Sequence, residues 1–321
     1  MADKSRIEWT EATWNPVTGC SKVSQGCVNC YALRDWARLS KTPTTVYYGR
    51  KFTDVQCHPE RLDQPLRWTK PRRVFVNSMS DLFHDAVPDE FIDQVFAVMA
   101  LCPRHTFQVL TKRPERMLDY IATNWRDGNI QNRMDDIETR DRTLFPGDAP
   151  PPLMKDWPLP NVWLGTSIED QTTADARIPL LLKTPAAVRW VSAEPLIGPV
   201  RLDEHGLHGG PGQFDWCVVG GESGPNARPM HPDWVRSLRD QCQAAGVPFF
   251  FKQWGEFYPA DQVSSPDQLK AKGDIGTAIR TGSAVDLGDQ WTWRIGKKAA
   301  GRLLDGRTWD QYPGGSNAAA V

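Results

Sequence analysis

The chain has 321 residues, of which 40% are hydrophobic and 24% charged, with 38 Lys and Arg against 39 Asp and Glu. That composition excludes a disordered or collagen-like chain, and no apolar run approaches the length of a membrane span. A formal net charge of −1 gives no support to a sequence-blind nucleic-acid binder, although net charge is silent on a local basic groove. The opening MADKSRIEWTEATW has no apolar stretch of the secretory kind, so the expected location is the cytoplasm of a bacterium or of its phage-infected state, without membrane association.

In chain order, a helix is expected from Tyr31 to Leu39. Beyond Pro71 short β-rich runs alternate with helical stretches. Arg73–Ser78 is the first clear strand and the periodic segment Asp89–Leu101 its helix. Thr106–Leu110 precedes a helix over Pro114–Ala122, and Val162–Gly165 precedes one over Thr172–Lys183. Val188–Ser192 and Trp216–Gly220 follow, then a helix over Pro232–Ala245 and a last strand in Val247–Lys252. Continuous apolar runs joined by crossover helices are the pattern of parallel strands buried on both faces. Six such units fit a barrel or a doubly wound sheet, and the fold expected of the two is α/β of the partial parallel (β/α)6 TIM-type barrel kind. Residues 1–255 are expected to form it, with a charged, proline-rich loop inserted at 124–160. Residues 256–321 are expected to form a C-terminal extension with a flexible tail.

Polar residues end the runs: Ser78, Thr111-Lys112, Thr166-Ser167, Glu194, Glu222 and Lys252-Gln253. In barrels and doubly wound sheets alike, ligands bind at that carboxyl edge.

Three of the seven cysteines, Cys20, Cys27 and Cys30, fall within eleven residues at a C-x6-C-x2-C spacing. An odd cysteine count without a secretory signal argues against a disulfide framework. Three thiolates on one short loop can wrap a soft metal centre. A structural zinc would need a fourth ligand, for which Cys57 or His58 is the candidate. A cubane iron–sulfur cluster needs only three and keeps one iron open, and ordinary buried thiols are the remaining alternative.

The segment Asn-Pro-x2-Gly-Cys through Gly-Cys-x2-Cys-Tyr-Ala resembles the cluster loop of radical S-adenosylmethionine (SAM) enzymes, particularly the branch similar to spore photoproduct lyase. It departs from their more common C-x3-C-x2-C spacing by three residues in the first gap. WNPVTGCSKVSQGCVNCYA, SMSDLFH, FQVLTKRPERM, VWLGTSIEDQ, EPLIGP, VVGGESGPNARPMH, FFFKQWGE and GKKAAGRLLDGRTWDQYP together resemble the phage Gp37/Gp68 family, also called the three-Cys-motif or DUF5131 family.

The resemblance implies a radical SAM enzyme, of lyase or isomerase type, with a [4Fe-4S] cluster on Cys20, Cys27 and Cys30, S-adenosyl-L-methionine as cofactor and an external electron donor. It also implies SAM contacts from Tyr31, Ser78, Ser80, Asp81, Lys112 and Ser167. An ion pair of Lys112 with Asp81 and helix caps at Ser78 and Ser167 are the structural alternatives. Gly220-Gly221-Glu222 lies too late to be the SAM-binding Gly-Gly-Glu of such enzymes, so Glu222 is read with Glu194, Lys252 and Gln253 as substrate-side. Cys217 is a core residue or, if it faces the lumen, a hydrogen-atom donor.

A nucleobase is the expected substrate, with hypermodified thymine in phage DNA favoured and a free nucleotide or a protein-presented substrate as alternatives. A base in a duplex would have to be flipped out, and Trp163, Trp190 and Trp254 are candidate stacking rings. His84 and His231 follow strand ends and are read as surface polar residues. The competing functional class is a non-enzymatic, zinc-containing nucleic-acid- or partner-binding protein, with an iron–sulfur electron carrier as a third.

Overall fold

The computed structural model describes residues 5–123, 126–140, 157–205, 207, 212–262, 281 and 283–314. The first half of the chain gives β1 (Ala12–Trp14), β2 (Val17–Thr18), α1 (Tyr31–Leu39), β3 (Gln56–Cys57) and β4 (Arg73–Val76). It continues with α2 (Asp89–Ala100), β5 (Thr106–Thr111), α3 (Pro114–Ile121), α4 (Arg126–Arg140) and β6 (Val162–Ile168). The second half gives α5 (Gln171–Lys183), β7 (Val188–Ala193), β8 (Trp216–Gly220), α6 (Pro232–Ala244), β9 (Phe249–Gln253) and β10 (Phe257–Pro259). β11 (Ala284–Asp286), β12 (Trp291–Arg294) and α7 (Lys297–Ala300) complete it.

The main sheet has seven strands in the order β1-β4-β5-β6-β7-β8-β9. The pairs β1–β4, β4–β5, β5–β6, β7–β8 and β8–β9 are all parallel. Strand order follows chain order with no reversal, which is barrel-type winding; a doubly wound sheet would reverse at a switch point. The α/β class of a partial TIM-type barrel is therefore met, with one strand more than six. The addition is β1, a three-residue strand ahead of the cysteine loop.

The chain divides into two compact units, residues 1–23, 32–166 and 179–189 in one, and 24–31, 167–178 and 190–321 in the other. In the first, Val74, Val76, Phe107 and Val109 are buried on the strands, and Phe91, Val95 and Phe96 are buried on α2. In the second, an aromatic layer runs along one face of the sheet: Trp190 and Trp216 lie 5.2 Å apart, and Trp216 and Phe250 6.0 Å.

The segment expected as an inserted loop is helical over Arg126–Arg140. α4 packs on α2 through Ile130, Met134 and Ile137, all buried. Its first residue, Arg126, donates to Asp93 Oδ1 at 2.9 Å and to Asp89 Oδ2 at 3.1 Å, both on α2. Residues 141–156 of the expected insertion lie outside the described residues, as do 315–321 of the expected tail.

The C-terminal extension has structure of its own. β10, β12 and β11 form a three-stranded antiparallel sheet. Residues 309–311 then run antiparallel beside β9: Phe251 N donates to Trp309 O at 2.9 Å and Phe249 N to Gln311 Oε1 at 2.9 Å. Tyr312 lies 5.2 Å from Trp216 and 5.4 Å from Phe250, completing the aromatic layer. Among the described residues, no helix is long and apolar enough to cross a membrane.

Candidate active site

All seven cysteines are free thiols. Cys20, Cys27, Cys30 and Cys57 are half-buried, while Cys102, Cys217 and Cys242 are buried. The surroundings of Cys20 and of the Cys27–Cys30 segment are distinct and are described in turn.

Cys20 follows Gly19, which has φ +92° and no room for a side chain, since a Cβ would lie 2.6 Å from Asp54 O. The turn after β4 holds this stretch. Asn15 Oδ1 accepts from Ser78 Oγ at 3.1 Å and from Met79 N at 3.0 Å, and Ser80 Oγ donates to Val17 O at 2.8 Å. Gly19 N donates to Met79 O at 3.1 Å, and Cys20 N to Phe52 O at 2.9 Å. The hydroxyl protons of Ser78 and Ser80 are thus spent on the loop ahead of Cys20, and a SAM ligand would meet these residues only as acceptors.

Asp81 is 5% exposed and saturated from within. Its Oδ1 accepts from Thr111 Oγ1 at 2.7 Å and Phe83 N at 3.0 Å, and its Oδ2 from Lys112 N at 3.0 Å and Arg113 Nη1 at 3.2 Å. The carboxylate organises the end of β5 and has no acceptor position left for SAM, which corrects its expected role. Its cation is Arg113, the residue after Lys112. Arg113 Nη1 also points at Cys20 Sγ, 3.7 Å away, and Nη2 donates to Ser21 Oγ at 2.8 Å. Burial works against the Arg113 charge, but Asp81 and then Cys20 outweigh it and raise its pKa. Ser21 Oγ in turn meets His84 Nε2 at 2.9 Å, and His84 Nδ1 accepts from Ala86 N.

Cys57 and His58, the candidate fourth ligands of a zinc site, both belong to the first unit. His58 is buried with both ring nitrogens engaged, Nε2 with Thr18 Oγ1 at 2.8 Å and Nδ1 with Glu60 Oε1 at 3.0 Å. Cys57 sits in β3, its backbone paired with Val17 of β2, and burial raises its thiol pKa.

Cys27 and Cys30 lie in the second unit, on a segment held by two buried carboxylates. Glu169, 0% exposed and just beyond β6, is paired with Arg177 of α5 at 3.1 Å and accepts from Ser24 Oγ at 3.0 Å. Gly26 lies against the Glu169 side chain, where a Cβ would collide. Glu222, 5% exposed and just beyond β8, accepts from Asn29 Nδ2 at 3.0 Å. Arg228 donates to both its oxygens, at 2.6 and 2.9 Å, and adds its backbone N–H at 2.8 Å. Burial opposes the Glu222 charge, yet these hydrogen bonds hold its carboxyl below the usual range. Glu222, expected on the substrate side, instead grips the residue between two of the cysteines. Tyr31 follows as the first residue of α1 and is 41% exposed.

Elsewhere in the second unit, Glu194 Oε1 meets Lys252 Nζ at 2.8 Å and its Oε2 accepts from Ser192 Oγ at 3.0 Å. Both lie at the carboxyl ends of β7 and β9, above the aromatic layer, with Gly220 between them. A Cβ on Gly220 would lie 2.6 Å from Glu194 Oε1. Gln253 is buried, its Nε2 donating to Gly221 O at 2.8 Å while its Oε1 has no partner. Ser167 is buried, and its carbonyl accepts from Arg177.

The structure bears on two further expectations in this unit. Cys217 is fully buried against Cys242 of α6, whose thiol pKa burial, and then Cys217, push well above the usual value. Cys217 therefore packs against the helix as a core residue, the first of the two readings given for it. Trp190 and Trp254 are also fully buried, so neither presents a face to a base; Trp163 is half-buried. The one group of three His, Asp, Glu or Cys side chains close enough for a single ion among the described residues is His231, Asp233 and Asp289. There His231 Nδ1 caps α6 by accepting from Asp233 N, and Nε2 meets Asp289 at 2.8 Å, so the imidazole is committed.

Arg113, Asn29, Arg228 and Glu169 escaped sequence reading. Arg113 stands next to the expected Lys112, and Asn29 inside the C-x2-C pair, so position alone marked those two. Glu169 and Arg228 gave no local signal.

Among solved structures, the chain is similar to a spore photoproduct lyase mutant at 13% identity and a TM-score of 0.40. The match covers 76% of this chain and 63% of that one, so the chain spans under two thirds of its length. No curated protein matches the chain. A family model described as a protein of unknown function (DUF5131) matches residues 4–313, and the chain belongs to that family.

Proposed function

We propose that the protein is a radical SAM enzyme in which Cys20, Cys27 and Cys30 hold a [4Fe-4S] cluster. The observation that carries this reading is the donor set. Three free, half-buried thiols lie within eleven residues, and the other four cysteines are buried or held in a strand. Arg113 supplies a positive charge next to Cys20, as a thiolate requires. Three cysteines on one short loop, with both ring nitrogens of His58 engaged by Thr18 and Glu60, suit a cluster with one open iron better than a closed four-ligand zinc. When bound, the cluster would supply the electron that cleaves SAM to methionine and a 5′-deoxyadenosyl radical.

The chain's own residues would act around that chemistry. Lys112 and Ser167, at the carboxyl ends of β5 and β6, are assigned to the SAM carboxylate, and Tyr31 to the adenine or cluster edge. Lys252 and Glu194, with Gln253 beside them, are assigned to the substrate. A modified pyrimidine base, thymine in phage DNA above all, remains the favoured substrate. The unpartnered Gln253 Oε1 supports a ligand that donates one hydrogen bond, as an imide N–H does. An external reductant is required, and a protein that presents the substrate is compatible with the near-neutral charge.

The test is anaerobic reconstitution with iron and sulfide, followed by SAM and dithionite, with 5′-deoxyadenosine as readout. Product from the native protein and none from Cys27→Ala supports the reading. A folded, colourless protein carrying one zinc and never assembling a cluster refutes it.

A further inference from the structure

Glu169 and Glu222 stand just beyond the carboxyl ends of two strands, β6 and β8, and both are closed off from solvent. Neither is free to meet a ligand, because each already has an arginine of its own: Arg177 at 3.1 Å and Arg228 at 2.6 Å. Buried carboxylate–arginine pairs are expensive to desolvate and lose heavily if one partner moves, so their geometry is stiff. What the two pairs have in common is the segment they hold. Glu169 takes the Ser24 hydroxyl and closes over Gly26, and Glu222 takes the Asn29 amide. Arg228 adds a donor to Gln25 O at 3.0 Å, and Asn29 makes a second bond, to Asn226 O at 2.7 Å. Cys27 lies inside this grip, Cys30 directly follows its last anchored residue, Asn29, and Ser24 Oγ itself lies 3.9 Å from Cys27 Sγ.

We infer that Glu169–Arg177 and Glu222–Arg228 are positioning pairs that hold the Ser24–Tyr31 segment in its ligating conformation before any metal arrives. Asn29 is the point at which the second pair reaches between the two cysteines. A short loop left to itself samples many backbone states, and fixing each residue costs conformational entropy. Anchoring the loop to buried charges places that cost in folding instead of in cofactor capture. This inference rests on the reading of Cys27 and Cys30 as ligands for its purpose, but not for its measurement.

The experiment uses metal-free full-length protein and iodoacetamide, with site-resolved mass spectrometry at every cysteine. Asn29→Ala removes both bonds that the Asn29 amide donates and leaves Glu222–Arg228 intact; Asn29→Asp sets a carboxylate against Glu222. The expected result is a several-fold rise in alkylation at Cys27 and Cys30 in Asn29→Ala and a larger rise in Asn29→Asp, with Cys57 and Cys102 unchanged. Unchanged rates at Cys27 and Cys30 would overturn the inference. So would an equal rise at Cys57 and Cys102, since the loosening would then be general. Iron content after reconstitution is read in parallel, with Asn29→Asp expected to retain less than half of the native amount. Native protein that takes up no iron refutes the cluster reading, while the alkylation rates still decide the clamp.

Discussion

Arg113 Nη1 sits 3.7 Å from the sulfur of Cys20 and 3.2 Å from Oδ2 of Asp81, so one guanidinium ties the first cysteine of the motif to the end of β5. A neighbouring cation stabilises the thiolate, and a buried Asp81 keeps that cation in place.

Arg113→Met is accordingly expected to slow iodoacetamide alkylation of Cys20 at pH 7 by about three- to tenfold, as loss of one close opposite charge implies. Cys27 serves as the internal reference. An equal rate in the two proteins would show that Arg113 acts on Asp81 alone.

Cys57→Ala and His58→Gln are expected to leave iron per chain after reconstitution unchanged, whereas Cys27→Ala abolishes it. A single zinc with a fourth ligand from this pair would instead lose its metal in one of the two variants. Metal analysis by plasma mass spectrometry distinguishes the cases.

The same histidine gives a pH signature. Burial, then the nearby Arg61, lowers the His58 pKa, against opposing help from Glu60. The unfolded imidazole binds its proton near pH 6.5, the folded one only at lower pH. Between those values the unfolded state holds more protons, so stability is full above about pH 6.5 and falls as the pH drops toward the folded value. His84 and His105 are lowered as well, with burial the leading cause for each, and add to the trend. Urea unfolding at pH 7.5 and 5.5 should show His58→Gln losing less stability than the native protein over this interval. The contribution of one group cannot exceed about 1.4 kcal/mol per pH unit.

Arg126→Met should cost about 3 kcal/mol, because it leaves Asp93 buried with only the Tyr120 hydroxyl at 2.7 Å. Faster tryptic cleavage within α4 than elsewhere is the accompanying expectation. A variant as stable as the native protein would mean that α4 docks through its apolar residues alone.

Gly26→Ala should destabilise by about 1–3 kcal/mol, the usual range for forcing atoms into a packed site. The obstructing Glu169 is pinned by Arg177 and cannot swing aside. Thermal unfolding gives the number.

The strands from β4 to β9 were legible because parallel strands buried on both faces leave unbroken apolar runs such as Trp216-Cys217-Val218-Val219. β1 was not, since Ala12-Thr13-Trp14 is too short to show a period. α4 hid for another reason: Ile130, Met134 and Ile137 keep helical spacing, but Gly128 and ten charged or amide residues surround them. The cysteine motif could be read directly because its ligands are adjacent in sequence. The roles of Asp81 and Glu222 could not, since a carboxylate at a strand end looks the same whether it awaits a ligand or is filled by arginines 32 and 6 residues away.

The antiparallel segment at residues 309–311 closes the open side of β9, and Tyr312 with the carbonyl of Gln311, which accepts from Trp216 Nε1 at 2.8 Å, finishes the aromatic layer. An edge left uncovered is a template for pairing with other chains. During synthesis the ribosome must therefore release residue 312 before this sheet can be sealed, and every shorter nascent chain presents β9 and the ring of Trp216 to the cell. Chaperone demand should peak in that interval, and recombinant versions trimmed before residue 309 should precipitate even though every cysteine of the proposed centre is retained.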